Sequence, residues 1–165
     1  MNKQLVYHCT DIDPEIIKFQ GFKSGNGGFT EDNVLKDFYD QYLPANPMFV
    51  SSLYVKVWDP SSKYCVKVDI SGLKKYPDFG HLLDFGAYYD EDCFWWKSEE
   101  ELNSWLSSND ETKKSLARYV LYSCDDLTLP ASQFTGDVSF RVIGTCCVDG
   151  NQIDASRLVE IVSKV

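Results

Sequence analysis

The run from Lys63 to Ile70 constrains this chain more than any other stretch. Tyr64, Val66, Val68 and Ile70 take one parity, and Lys63, Cys65, Lys67 and Asp69 take the other. A strand there carries an apolar row on one face, because successive side chains alternate across the pleat. Such a strand requires partner strands and a covering layer. Leu5-Val6-Tyr7-His8-Cys9-Thr10 supplies a second apolar, β-favouring run, and Met48-Phe49-Val50 a third that ends in Ser51-Ser52. His8 and Thr10 stand two apart, so on a strand they share a face. A polar pair leaving a buried strand is a place for a ligand to dock. The same residues also fit a plain strand end whose histidine is solvated or bonded to backbone.

Helix signals interrupt these strands. Asp13-Pro14-Glu15 reads as N-cap, first-turn proline and first-turn acid of a short helix to Gln20, with Gly21 as its stop. Thr30 caps a second helix, Glu31 to Leu43, with Val34, Phe38 and Tyr42 on one side. Between them Ser24 to Gly28 is a glycine-rich loop, either a backbone surface for a ligand or a plain linker. Tyr54 to Trp58 continues the extended pattern after Ser52. Ser98 with Glu101 and Ser108 with Glu111 form capping boxes for helices reaching about Leu106 and Tyr119. Cys93 to Trp96 is a short strand or the start of a helix. Val120-Leu121-Tyr122, Leu127 to Pro130 and Val138 to Thr145 read as extended. Asp154 reads as the cap of a terminal helix that turns Leu158, Ile161, Val162 and Val165 inward.

Composition fixes the class. The chain has 165 residues, 44% of them hydrophobic, enough for one domain over 1–165 with a packed core. Its net charge is −9, and no basic cluster exceeds Lys74-Lys75 or Lys113-Lys114, so general nucleic-acid binding is not expected. No apolar run approaches the roughly 18 residues that span a bilayer. Met1-Asn2-Lys3-Gln4 does not look like a secretory leader, so no membrane association is expected and the expected site of action is the cytosol. The six cysteines show no CxxC spacing, and His8 and His81 lie far apart, which points away from a structural metal. Cys9 and Cys93 lack a legible base for nucleophilic chemistry.

The order of elements is a strand with His-x-Thr, a short helix to Gly21-Phe22, a flexible loop, Phe-Val-Ser-Ser, then Tyr-Cys-Val-Lys-Val-Asp-Ile. That order resembles small ADP-ribosyltransferase domains of bacterial and phage origin, including compact anti-CRISPR members. The late segments Leu127 to Pro130 and Val138 to Ile143 look like the final strands of such domains. The resemblance implies an α+β fold, a single domain with a split, mixed β-sheet and flanking helices, with NAD in a central cleft. It implies His8 on the adenosine-side ribose with Thr10 nearby, Ser51 or Ser52 on the nicotinamide ribose, Tyr54 stacked on the nicotinamide, and the Gly25 to Gly28 loop against the dinucleotide. The family usually carries a late glutamate, sometimes an aspartate, and no glutamate occurs here between Glu111 and Glu160. Asp125 and Asp126 are the acids available for the catalytic role, Arg118 falls in the slot in another register, and Asp84 is an outside candidate. Asp125-Asp126 also reads as an ordinary acidic turn.

Two functions follow as expectations. One is an NAD-dependent mono-ADP-ribosyltransferase of the toxin, effector or phage anti-defence type, acting on a macromolecular target, most simply a protein. The alternative is a non-enzymatic acidic interaction or inhibitor protein, for which a nucleic-acid mimic is one form; its motive is the −9 charge and the missing glutamate.

Overall fold

The computed structural model of the chain describes residues 3–20, 33–52 and 62–162. Tyr54, Thr30, Gly21, Phe22 and the Gly25 to Gly28 loop lie outside them. In chain order the elements are β1 (Leu5–Thr10), α1 (Pro14–Gln20), α2 (Asn33–Tyr42), β2 (Pro47–Ser51), β3 (Tyr64–Asp69), α3 (Gly80–Asp84) and β4 (Tyr88–Asp90). There follow β5 (Cys93–Trp95), α4 (Glu99–Leu106), α5 (Glu111–Ser123), β6 (Thr128–Pro130), α6 (Gly136–Ile143), β7 (Thr145–Asp149) and β8 (Leu158–Val162).

Two sheets result, one of five strands in the order β7-β2-β1-β3-β8 and one of three in the order β4-β5-β6. Every pairing in both is antiparallel, which corrects the expectation of a mixed sheet. The physical reason lies in the order of the strands: β1 sits centrally, and each neighbour returns against its direction. The chain is a small α+β domain with its strands divided between two sheets.

The period-2 row of β3 behaves as its sequence demands. Val66 and Val68 join Val6, Met48, Val50, Cys146 and Val148 in one buried cluster, with Ile17 of α1 packed among them. The opposite face of the large sheet carries Phe49 and Cys147 into a second cluster. There Phe79, Phe94 and Phe134 are fully buried, and Phe79 and Phe94 stack at 5.3 Å. The large sheet therefore separates two apolar layers.

Helix starts follow their caps. Ser98 Oγ accepts from the Glu101 amide, and the Glu101 carboxylate accepts from the Lys97 amide. Asp110, and not Ser108, caps α5, its Oδ1 accepting from Thr112 and Lys113 amides at 2.8 and 3.3 Å. Three assignments are overturned, two extended and one helical. Val120 to Tyr122 belongs to α5, which runs on to Ser123 because Leu116, Ala117 and Val120 form one buried stripe. Val138 to Ile143 is helical, capped by Thr135, whose hydroxyl accepts from the Val138 amide, and ended by Gly144 at φ +74°. Asp154 caps only a 3-10 turn, and Leu158 to Val162 extends as β8 against β3, with a register shift at Lys67/Val68. No helix among the described residues is long and apolar enough to cross a membrane.

Candidate functional site

The central strand is paired unequally on its two sides. Against β3 it holds a ladder from Leu5↔Asp69 to Thr10↔Tyr64. Against β2 the pairing among the described residues is Tyr7↔Ser51, with no further pair toward Thr10. Beside that pair, His8 Nδ1 lies 2.6 Å from the Phe49 carbonyl oxygen of β2. A carbonyl can only accept, so Nδ1 carries the proton and Nε2 is the acceptor nitrogen of a neutral ring. Desolvation lowers the His8 pKa below 6.5, against a smaller opposing effect of the Phe49 bond, so the ring is neutral at pH 7. The imidazole thus bridges the two strands where their ladder stops.

Thr10 shares the His8 face and is buried; its hydroxyl accepts from the Ile12 amide at 3.1 Å, turning the chain toward α1. Ser51 is fully buried and, as the register partner of both Tyr7 and Thr145, lies on the opposite face. Ser52 follows the strand, exposed, with its amide and its hydroxyl both donating to the Gly144 carbonyl, at 2.8 and 3.2 Å. Because β1 and β2 run antiparallel, extending their register sets Thr10 against Met48 and Ser52 against Val6. The two polar ends are then about 13 Å apart at ~3.3 Å per residue. The structure places His8 next to Ser51 in register but across the sheet from it.

The sequence-expected acids stand elsewhere. Asp125 and Asp126 are exposed on the tight turn between α5 and β6, closed by the Thr128 amide on the Asp125 carbonyl at 3.1 Å. Asp126 and Leu127 adopt φ +55° and +56°, left-handed values unusual for residues with a Cβ. The turn leads into the three-stranded sheet, whereas His8 and Ser51 belong to the five-stranded one. Neither carboxylate hydrogen-bonds to β1 or β2. Asp84, at the end of α3, is exposed as well.

A different acid is built in. Asp78 is buried, and its Oδ2 accepts from Thr145 Oγ1 at 3.0 Å and from His81 Nδ1 at 2.7 Å. Ser139 Oγ accepts from the Asp78 amide at 3.0 Å and donates to the Thr145 carbonyl at 2.8 Å. These bonds tie the segment before α3 to α6 and to the start of β7. Gly80 lets the carboxylate settle, since a Cβ there would lie 3.3 Å from Asp78 Oδ1. The His81 side chain keeps 26% of its surface exposed, so it connects the buried carboxylate to solvent. An imidazole oriented by a buried carboxylate is equipped to accept a proton from a nucleophile. The i, i+3 spacing of Asp78 and His81 was the signal available in the sequence, and it becomes visible only once a helical turn is known there.

The described residues thus hold two polar centres, one at the parting of β1 and β2 and one at Asp78–His81, joined through Ser51 and Thr145 in adjacent strands. No group of three His, Cys, Asp or Glu side chains suited to a metal occurs among them. Compared with family models, with curated proteins and with solved structures, the chain matches none, so the reading of these two centres rests on their own geometry.

Proposed function

We propose that this chain is an NAD-dependent mono-ADP-ribosyltransferase of the toxin, effector or phage anti-defence type, modifying a macromolecular target. The observation that carries the reading is the halt of the β1–β2 ladder at His8, with a neutral ring whose acceptor nitrogen is Nε2. A neutral acceptor suits a ribose hydroxyl and offers nothing to a phosphate, which wants a cation. His8 then holds the adenosine-side ribose with Thr10 close by, and Ser52 meets the nicotinamide ribose at the other end of the strip, Ser51 lying on the reverse face. Tyr54, outside the described residues, completes the proposed set.

The reaction is displacement at the anomeric carbon of the nicotinamide ribose. The carbon–nitrogen bond to nicotinamide breaks, its electron pair returning to the pyridinium ring. A bond to the acceptor's nucleophile forms, and the acceptor's proton passes to a base. The transition state is oxocarbenium-like, so a carboxylate stabilises it. Asp125 and Asp126 fill that role only if their turn reaches the large sheet; Asp78, bonded to the register partner of Ser51, is the acid nearest that strand but stands behind it, on the face opposite His8.

The second reading is an acidic interaction protein without chemistry. It is favoured by the placement of Asp125 and Asp126 on a surface turn of the other sheet, together with the −9 charge. Thermal unfolding of wild type and His8→Ala, with and without excess NAD, separates the two. At a hundred times its Kd a ligand stabilises by about 2.7 kcal/mol, which is a shift of roughly 5 to 10 °C for a domain of this size. A shift lost in His8→Ala supports the transferase site. No shift at saturating NAD overturns it in favour of the interaction protein. Transfer of labelled ADP-ribose into lysate by Asp125→Ala, Asp126→Ala and Asp78→Asn variants then assigns the acid.

A further inference from the structure

The chain has three arginines, and among the described residues one of them hydrogen-bonds to backbone carbonyls. Arg157 donates to the Asp69 and Ser71 carbonyls at 3.0 and 2.9 Å. Arg118 and Arg141 instead line one cleft of about 350 Å³ between α5 and α6, with Ser115, Tyr119, Ser123 and Val142. Neither guanidinium forms an ion pair among the described residues, although the chain carries 25 acidic side chains against 16 Lys and Arg. Both are exposed, and two guanidinium groups lining one cleft make a locally cationic wall that favours an anion. The carbonyl end of α6 accounts for Arg141, which lies in its last turn. It does not account for Arg118, which projects from the middle of α5.

We propose that the α5–α6 cleft binds a phosphomonoester, with Arg118 and Arg141 clamping the phosphate oxygens and the hydroxyls of Ser115, Tyr119 and Ser123 completing the donors. A phosphomonoester carries close to two negative charges and three acceptor oxygens, which two planar guanidinium forks match in charge and geometry. A carboxylate offers one charge and two oxygens, and leaves donors unused. Arg141 lies close enough to Tyr119 to oppose the rise that burial causes in its phenol pKa, which places phenol and guanidinium at one wall. Beyond the cleft, one helical turn after Arg118, Tyr122 stands 84% exposed. With Val142 it offers the ester's organic part an apolar surface. One such site does not conflict with an acidic chain that lacks a basic stripe: it recognises a single phosphate, not a polyanion. The proposal stands apart from the NAD reading, since His8 lies on another element.

The test is calorimetric titration of the full chain, at constant ionic strength, with phenyl phosphate, inorganic phosphate and acetate. The expected result is that phenyl phosphate binds, inorganic phosphate binds more weakly, and acetate gives no heat. Arg118→Gln and Arg141→Gln each weaken phenyl phosphate binding about tenfold or more, Arg118→Gln with unchanged melting temperature and Arg141→Gln with only the small drop of a lost helix-end charge, while His8→Ala binds as wild type does. Absence of heat with both phosphates at about 10 mM, or affinities untouched by either arginine substitution, would overturn the site. Acetate binding as tightly as phenyl phosphate would overturn its phosphate chemistry, and inorganic phosphate binding more tightly would overturn the ester.

Discussion

Gly136→Ala tests whether the Asp78 centre is as rigidly held as its hydrogen bonds imply. Gly136 opens α6 and lies against the backbone before Asp78. A Cβ at Gly136 would fall 2.0 Å from the Lys75 carbonyl carbon, 2.1 Å from its oxygen and 2.4 Å from the Tyr76 nitrogen. Ordinary contact starts near 3.4 Å, so helix or segment must move by more than 1 Å. The segment is pinned: the Tyr76 amide donates to Cys147 and the Cys147 amide to Tyr76, at 2.7 and 2.8 Å. Overpacking of this kind costs about 1–3 kcal/mol, and a broken buried backbone bond adds about 1–3 kcal/mol for each group left unpaired. The gain of alanine over glycine in a helix offsets at most about 1 kcal/mol of that. The expected net loss is about 3 kcal/mol, a fall in Tm of roughly 6 to 12 °C for this chain length. Urea unfolding and thermal melting measure it. Gly72→Ala is the control, since Gly72 has φ +78° but nothing within 4 Å of its Cβ position, so it reports backbone strain without crowding. A Gly136→Ala loss no larger than that of Gly72→Ala would refute the docking of α6 on residues 75–76, and with it the fixed geometry of Asp78 and Thr145.

Thr145→Val removes one of the donors to Asp78 and should lower the urea-derived stability by about 1.5–3 kcal/mol; Thr145→Ser, which keeps the hydroxyl, should lose less. The β4–β5 hairpin turns on Glu91 and Asp92 at φ +49° and +64°; Asp92 also accepts from the Tyr89 hydroxyl, so Glu91→Asn alone, which relieves the left-handed strain and keeps that bond, should raise stability by up to about 1 kcal/mol in urea unfolding. Native protein treated with iodoacetamide at mildly alkaline pH should label only Cys9, Cys93 and Cys124. Cys65 is buried, and burial pushes the Cys146 thiol up to about 12 and Cys147 up further, so labelling of either of the last two in a mass spectrum would show that β7 is not closed. For His8 the pKa is depressed in the folded chain, so the unfolded chain binds the proton more readily. Its contribution to stability is whole above pH 6.5 and falls as the pH drops from there toward the folded value. A pH series of urea midpoints should show a slope below pH 6.5 that His8→Gln flattens.

The legible parts of the fold were those with local physical causes. Ser98 and Asp13 cap helices through bonds two or three residues away, and the β3 row shows its parity within one strand. Val138-Ser139-Phe140-Arg141-Val142 imitates a strand by alternation, but Thr135 and Gly144 punctuate it as a helix that buries Ser139 and Ile143. Leu158, Ile161 and Val162 imitate a helix by spacing, yet the free edge of β3 takes them as a strand. Tertiary pairing decided both against the local period. The Asp78 centre was hidden for a different reason: its Ser139 and Thr145 partners stand 61 and 67 positions away. Only the α3 turn that carries His81 is local.

The antiparallel sheet also constrains the proposed dinucleotide reading of the first centre. Adjacent antiparallel strands end at opposite edges, so His8-x-Thr10 and Ser51-Ser52 cannot close on one small group from a common end. A ligand that uses both must lie along the strip between β1 and β2, with its long axis parallel to the strands. The ladder is interrupted in that strip, and His8 is the side chain that occupies the interruption. A compact ligand would engage one end only and would be indifferent to the other. The proposed dinucleotide, with a hydroxyl-bearing ring at each end, is a ligand long enough to use both. On that proposal, the buried position of Ser51 on the reverse face leaves Ser52 as the hydroxyl to meet the second ring.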